Sequence, residues 1–189
     1  MTTGEWADVV RQVFGQYRGP TGVSTSPSNS TEGLDEIRES VATVSKKLGR
    51  KLKFLMGKPG LDGHSNGAEQ IATRARDCGM EISYEGIRLT PKEIVAAAQD
   101  GQVHVIGLSV LSGSHISLMQ DVMTKLEQAN LGHIPVVVGG IIPEDDADQL
   151  REMGISRVYT PKDFELNQIM SDIVSLADPD RQAGPIAAQ

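Results

Sequence analysis

Apolar positions follow two alternating rhythms from about residue 50 to residue 177. Short apolar runs at Leu52–Met56, Glu81–Tyr84, Val103–Ser109, Ile134–Val138 and Arg157–Tyr159 have the length and flanking signals of strands. After each comes a longer segment whose apolar residues recur three and four apart: Gly67–Cys78, Pro91–Asp100, His115–Asn130, Pro143–Met153 and Asp163–Leu176. That spacing predicts helices. Thr90 stands where an N-cap belongs, and Pro91 and Pro143 suit early helical positions. Gly79, Gly101 and Gly154 suit helix ends, and Gly132 is a further stop.

Five β–α units in succession predict a doubly wound α/β domain, a five-stranded parallel sheet with helices on both faces. The first, third and fourth runs are the most apolar, as strands covered on both faces are. The order 2-1-3-4-5 of flavodoxin-like sheets fits such a series. Upstream, Trp6, Val9, Val10, Val13, Phe14 and Tyr17 mark one apolar face of an N-terminal helical extension, residues 1–23, which Gly19-Pro20 closes. That face suits either docking onto a partner or packing on the chain's own sheet. Residues 24–49 hold a polar linker and then a short helix, about Leu34 to Leu48. The α/β domain takes residues 50–177, and the Pro/Gly/Ala/Gln-rich stretch 178–189 reads as a disordered tail.

Composition removes several function classes. A net charge of −7 and an aromatic content of 4% disfavour a nucleic-acid binder, which wants a basic face and stacking rings. Cys78 is the single cysteine, so an internal disulfide and a cysteine zinc cluster are excluded, and a reducing cytoplasm is the expected compartment. There is no signal-peptide pattern, and no apolar run approaches the roughly 20 residues of a membrane span.

Ligands of open parallel sheets bind beyond the carboxyl ends of the strands, where the strand order reverses. Here that point lies between the first and third strands. The first strand leads into Gly57-Lys58-Pro59-Gly60-Leu61-Asp62-Gly63-His64-Ser65-Asn66-Gly67. An Asp and a His two apart in a glycine-rich loop let the carboxylate hold one imidazole nitrogen while the other is aimed outward as a metal ligand. The third strand runs into Ser109-Val110-Leu111-Ser112-Gly113, the fourth into Gly139-Gly140, the fifth into Tyr159-Thr160-Pro161. After the second strand, Glu85-Gly86-Ile87-Arg88 reads as a loop with no comparable opening apart from Gly86. Taken singly, each feature has a structural explanation: loop histidines are commonly solvated, and paired glycines commonly only turn the chain. His104 lies inside an apolar run and reads as a packed or edge-facing histidine, and His115 and His133 have no cysteine or carboxylate at ligand spacing and read as structural. Phosphate-loop and dinucleotide patterns are absent, and Ser109 stands where a receiver domain needs an acidic phosphoacceptor.

In combination, Asp62-x-His64-x-x-Gly67, Ser109-x-Leu111 and Gly139-Gly140 resemble the cobalamin-binding domain of the methylmalonyl-CoA mutase family. The stretch Gly57 to Gly67, Tyr84-Glu85-Gly86-Ile87-Arg88 and Tyr159-Thr160-Pro161-Lys162-Asp163-Phe164 look most like the ethylmalonyl-CoA mutase branch. Residues 4–23 resemble the segment that joins the catalytic barrel of that branch to its cobalamin domain. The resemblance implies that His64 is the lower axial ligand of a cobalamin cobalt. Asp62 would accept its other N–H, and Lys58 would pair with Asp62. It also implies a slot for the displaced nucleotide tail. Ser109 would hydrogen-bond the dimethylbenzimidazole, Leu111 and Ile71 would pack on its ring, and Gly113, Gly139 and Gly140 would admit it by lacking side chains. Gly63, Ser65, Asn66 and Gly67 would lie near the corrin edge or phosphate, and Tyr159 and Asp163 on the last loop of the slot. The implied cofactor is adenosylcobalamin, and the implied reaction is carbon-skeleton isomerisation of an acyl-CoA. In that family a (β/α)8 barrel binds the acyl-CoA, and 189 residues leave no room for one. The chain is thus expected to need a barrel partner, to be inactive alone, and to be a small subunit, a relic or a fragment, with homo-oligomerisation open. A non-catalytic cobalamin carrier or sensor is the alternative.

Overall fold

The computed structural model describes residue 13 and residues 33–182, save 62, 112 and 164. The strands are β1 (Lys53–Pro59), β2 (Glu81–Leu89), β3 (Val105–Val110), β4 (Val136–Gly140) and β5 (Arg157–Tyr159). They form one parallel sheet in the expected order, β2-β1-β3-β4-β5. The helices are α1 (Leu34–Leu48), α2 (Asn66–Asp77), α3 (Pro91–Gly101), α4 (His115–Gln128), α5 (Glu144–Glu152), α6 (Leu166–Ala177) and the short α7 (Pro179–Gln182).

Strand side chains alternate between two cores because successive residues point to opposite faces. Leu55, Ile106, Leu108 and Val138 pack with Ile94 of α3, Met119 and Leu126 of α4 and Leu150 of α5. Phe54, Met56, Val105 and Val137 pack with Ala72 of α2, Met170 and Ile173 of α6 and Val41 of α1. Side chains such as Leu126 and Leu150, fully out of water, each stabilise the fold by about 2 kcal/mol.

Helix starts and strand ends carry the local rules. Thr90 caps α3 as expected: its hydroxyl accepts from the Glu93 N–H at 3.2 Å, and Glu93 Oε2 accepts from the Thr90 N–H at 2.8 Å. Gly79 and Gly154 take left-handed φ values of 93° and 94° after α2 and α5. After α3 it is Gln102, not Gly101, that turns left-handed, at φ 48°.

Several boundaries depart from the apolar pattern. β1 continues through Gly57, Lys58 and Pro59, and β2 continues to Leu89, so Glu85-Gly86-Ile87-Arg88 is strand and not loop. The extension survives because β2 bulges twice. Met56 pairs with Tyr84 but Gly57 with Gly86, and Lys58 pairs with Ile87 but Pro59 with Leu89. Glu85 and Arg88 are the extra residues, and the ladder resumes after each. α1 covers the expected residues but is not a free connector. Leu34, Ile37, Val41 and Val44 are buried in the second core, and Lys47 Nζ is 2.8 Å from Asp178 Oδ2 beyond α6. The first residues of the expected disordered tail form α7. Among the described residues no helix is long and apolar enough to cross a membrane. The N-terminal extension, Val13 apart, and most of the 24–33 linker lie outside the described residues, as do residues 183–189.

Candidate functional site

The strand order reverses between β1 and β3, and a cavity of about 750 Å³ opens there at the carboxyl edge of the sheet. It lies on the face of the second core. Its floor is Phe54 and Met56 of β1, Gly107 and Ser109 of β3, and Val137 of β4. Gly107 makes room for the floor, since a Cβ there would stand 2.4 Å from Phe54 Cζ. One wall is α2, through Asn66, Gly67, Gln70 and Ile71; the other is α6, through Leu166, Ile169 and Ile173. The rim is made by His64, Leu111, Gly139, Gly140, Ile141, Tyr159, Thr160 and Asp163.

The two walls are tied together. Arg74 of α2, almost fully buried, donates from Nε and Nη2 to Asn167 Oδ1 of α6 at 3.0 and 2.5 Å. A second tie lies behind the rim on the other face. His115, at the start of α4, is buried, and its Nε2 is 2.7 Å from Asp146 Oδ2 in α5. The carboxylate partner of His115 comes from 31 positions away, beyond any local spacing.

Each loop is shaped by its own bonds. Asp163 Oδ2 accepts from the Thr160 N–H at 2.7 Å and from its hydroxyl at 3.0 Å, which closes the turn after β5. The Tyr159 hydroxyl donates to Asp172 Oδ2 of α6 at 3.2 Å. Burial, reinforced by Asp172, pushes the Tyr159 phenol far up, so it stays neutral. Lys162 and Glu144 pair across the mouth between the β5 and β4 loops. The contact holds the Lys162 ammonium above its usual range and the Glu144 carboxyl below its own.

The expected site residues divide by position. His64, Asn66, Gly67, Ile71, Ser109, Leu111, Gly139, Gly140, Tyr159 and Asp163 line the cavity together. Gly63, Ser65 and Gly113 flank it without lining it. His64 is exposed at the mouth, and Ser109 is nearly buried at the floor. Lys58 shares the face of Phe54 and Met56 on β1 and is fully buried. Asp62 lies outside the described residues, as do Ser112 and Phe164. The pattern missed Gln70, the apolar floor and the α6 wall. Asn66 and Gln70, like Gly67 and Ile71, are four apart on one helix, so Gln70 was recoverable from its neighbours.

The chemistry of this lining suits one kind of guest. An apolar floor and walls with a few convergent polar groups receive a flat, largely apolar ring that carries a hydrogen-bonding edge. An exposed imidazole at the mouth of the same cavity offers nitrogen to a metal above it. These features fit a cobalamin.

Similarity to known proteins points the same way. The family described as B12 binding domain matches residues 52–163. Ethylmalonyl-CoA mutase of Cereibacter sphaeroides is 66% identical over 94% of this chain, which corresponds to 27% of that protein. The methylmalonyl-CoA mutase large subunit of Propionibacterium freudenreichii subsp. shermanii is 36% identical over 85% of this chain and 22% of its own length. The chain thus spans only about a quarter of the length of these curated relatives. Among solved structures, a cobalamin-binding protein from Desulfitobacterium hafniense superposes with a TM-score of 0.58 at 16% identity, covering 94% of this chain and 77% of that one. At that identity the likeness concerns the fold. With the family match spanning residues 52–163, more than half of its length, the chain belongs to the B12-binding domain family.

Proposed function

We propose that this chain is the cobalamin-binding part of an adenosylcobalamin-dependent acyl-CoA mutase of the ethylmalonyl-CoA or methylmalonyl-CoA type. One observation carries the reading: His64 stands at the mouth of a largely apolar cavity at the switch point of a B12-binding fold. In this reading His64 would ligate the cobalt and Asp62 would fix its tautomer and orientation. Lys58 brings an ammonium to the end of β1. A fully buried ammonium requires an acceptor, and Asp62, four residues on, is the one proposed.

The cavity receives the displaced nucleotide tail. Ser109 bonds its base from the floor, Ile71 and Leu111 pack on the ring, and Gly139 and Gly140 leave the entrance open. Gly67 lets the tail pass the start of α2, with Gly63, Ser65, Asn66 and Gly113 around the rim. Tyr159 and Asp163 shape the last loop through their bonds to Asp172 and Thr160. When bound, adenosylcobalamin supplies radical chemistry from its cobalt–carbon bond.

The acyl-CoA is held by a (β/α)8 barrel outside these residues, so the chain by itself binds cofactor and does not isomerise substrate. A reducing cytoplasm suits its one buried cysteine, Cys78. Visible spectrophotometric titration of the chain with adenosylcobalamin tests the reading. Wild type should give the spectrum of histidine-ligated cobalamin, and His64→Ala should lose it. Absence of binding overturns the reading, an unaltered spectrum in His64→Ala removes the ligand role, and mutase turnover without a barrel removes the division of labour.

A further inference from the structure

Arg88 occupies a costly backbone position next to the loop that carries His64. It is the extra residue of the second bulge in β2, where Lys58 pairs with Ile87 and Pro59 with Leu89. Its φ is +60°, in the left-handed region that a side chain with a Cβ rarely enters. The chain is pinned on both sides. Leu89 is buried and its carbonyl accepts from the Gly60 N–H at 3.1 Å, and Thr90 is locked in the α3 capping box. Strain maintained in this way, at a bulge beside a ligand site, is the usual means of re-aiming a side chain.

The side chain is aimed at the His64 loop. A Cβ placed on Gly63 would stand 3.6 Å from Arg88 Nη2. The guanidinium is exposed and has no ion-pair partner among the described residues. It does not line the cavity, so it lies outside the slot proposed for the nucleotide tail and beside the ring that would cover His64. The periphery of a corrin carries amide side chains, whose carbonyl oxygens match a fork of guanidinium donors.

We infer that Arg88 is a binding and positioning residue for the corrin rim, donating hydrogen bonds to a peripheral amide carbonyl over the His64 loop. This rests on the cobalamin reading above and adds a second anchor, on the edge strand, to the axial histidine. Arg88→Gln removes the charge and fork. Arg88→Gly removes the side chain and also relieves the φ strain, because glycine enters the left-handed region freely.

The test is spectrophotometric titration of wild type and both variants with cobalamin and with cobinamide, which keeps the corrin but lacks the nucleotide base. Thermal melts of the unliganded proteins accompany it. Both variants should bind both corrinoids about tenfold more weakly with the histidine-ligated spectrum retained, the loss expected when a hydrogen bond to a charged group is removed. Arg88→Gly should melt at or above the wild-type temperature. Wild-type binding with unchanged variant affinities overturns the inference and leaves the cobalamin reading intact. A loss confined to cobalamin moves the guanidinium to the nucleotide tail and overturns it. Weaker binding with a lowered melting temperature in both variants makes Arg88 structural and overturns it. No binding by wild type ends both.

Discussion

Gly139 and Gly140 are neighbours in sequence, yet a methyl group on each would meet different surroundings. A Cβ at Gly140 would lie 1.7 Å from the Val110 carbonyl oxygen, so β3 and β4 must separate to admit it. A Cβ at Gly139 would lie 3.7 Å from Tyr159 Cβ, an ordinary contact, and would sit on the rim of the cavity. Gly140→Ala should therefore cost about 3 kcal/mol of stability, the upper range for overpacking against an unyielding neighbour. Gly139→Ala should change stability by less than about 0.5 kcal/mol and weaken cobalamin binding by narrowing the entrance. Urea denaturation and a cobalamin titration on both variants separate the roles. Equal stability losses would mean that β4 approaches β3 less closely at Gly140 than the 1.7 Å figure requires.

At the scale of elements, the start of the central ladder depends on a side chain. His104 precedes β3, and its Nδ1 accepts from the Lys53 N–H at 2.9 Å while its own N–H donates to the Lys53 carbonyl, also at 2.9 Å. The imidazole thus extends the β1–β3 pairing, and it does so only when Nδ1 is unprotonated. Burial holds the ring below its ordinary value of 6.5, helped by the nearby Arg50 charge. An unfolded chain therefore takes up this proton before the folded one as pH falls. The contribution is complete above pH 6.5 and is lost as pH drops through 6.5 toward the lower folded value. Between about pH 7.5 and about pH 5.5, wild type should lose about 1 kcal/mol more than His104→Asn, which keeps an acceptor but cannot titrate. Parallel losses in denaturation midpoints would remove the assignment. The same edge marks where the apolar pattern stopped being readable. β1, β3 and β4 are apolar runs and read directly as strands. The far half of β2 is Glu85-Gly86-Ile87-Arg88, which has turn composition, and only pairing across two bulges makes it strand.

Across the whole molecule, the sheet divides the protein into two cores of different character, and only one contains the cavity. The core under α3, α4 and α5 meets the cavity only through Leu108. The core under α1, α2 and α6 opens at its upper end between α2 and α6. The loop residues of the site were legible because His64, Ser109 and the glycines have no evident role in a core and fall on one predicted rim. The α6 wall was not. Leu166, Ile169 and Ile173 have the spacing of any packed helical face, and periodicity does not distinguish a side chain that fills a core from one that lines a hole. This asymmetry governs how a ligand changes the energetics. A guest that binds the folded chain alone stabilises it globally, by about 2.7 kcal/mol at a hundredfold excess over Kd. Local openings respond only where the guest is in contact. The openings that uncover the cavity are separations of α2 and α6, held together by Arg74 and Asn167. Cobalamin should therefore slow amide hydrogen exchange in α2, α6 and the loops after β1 and β5 by a large factor. The locally exchanging amides of α3 and the second half of α4 should be little changed, since they lie across the sheet from the cavity. Hydrogen exchange with and without cobalamin measures this directly. Equal protection of α3 and α2 would mean that the two cores open as one unit.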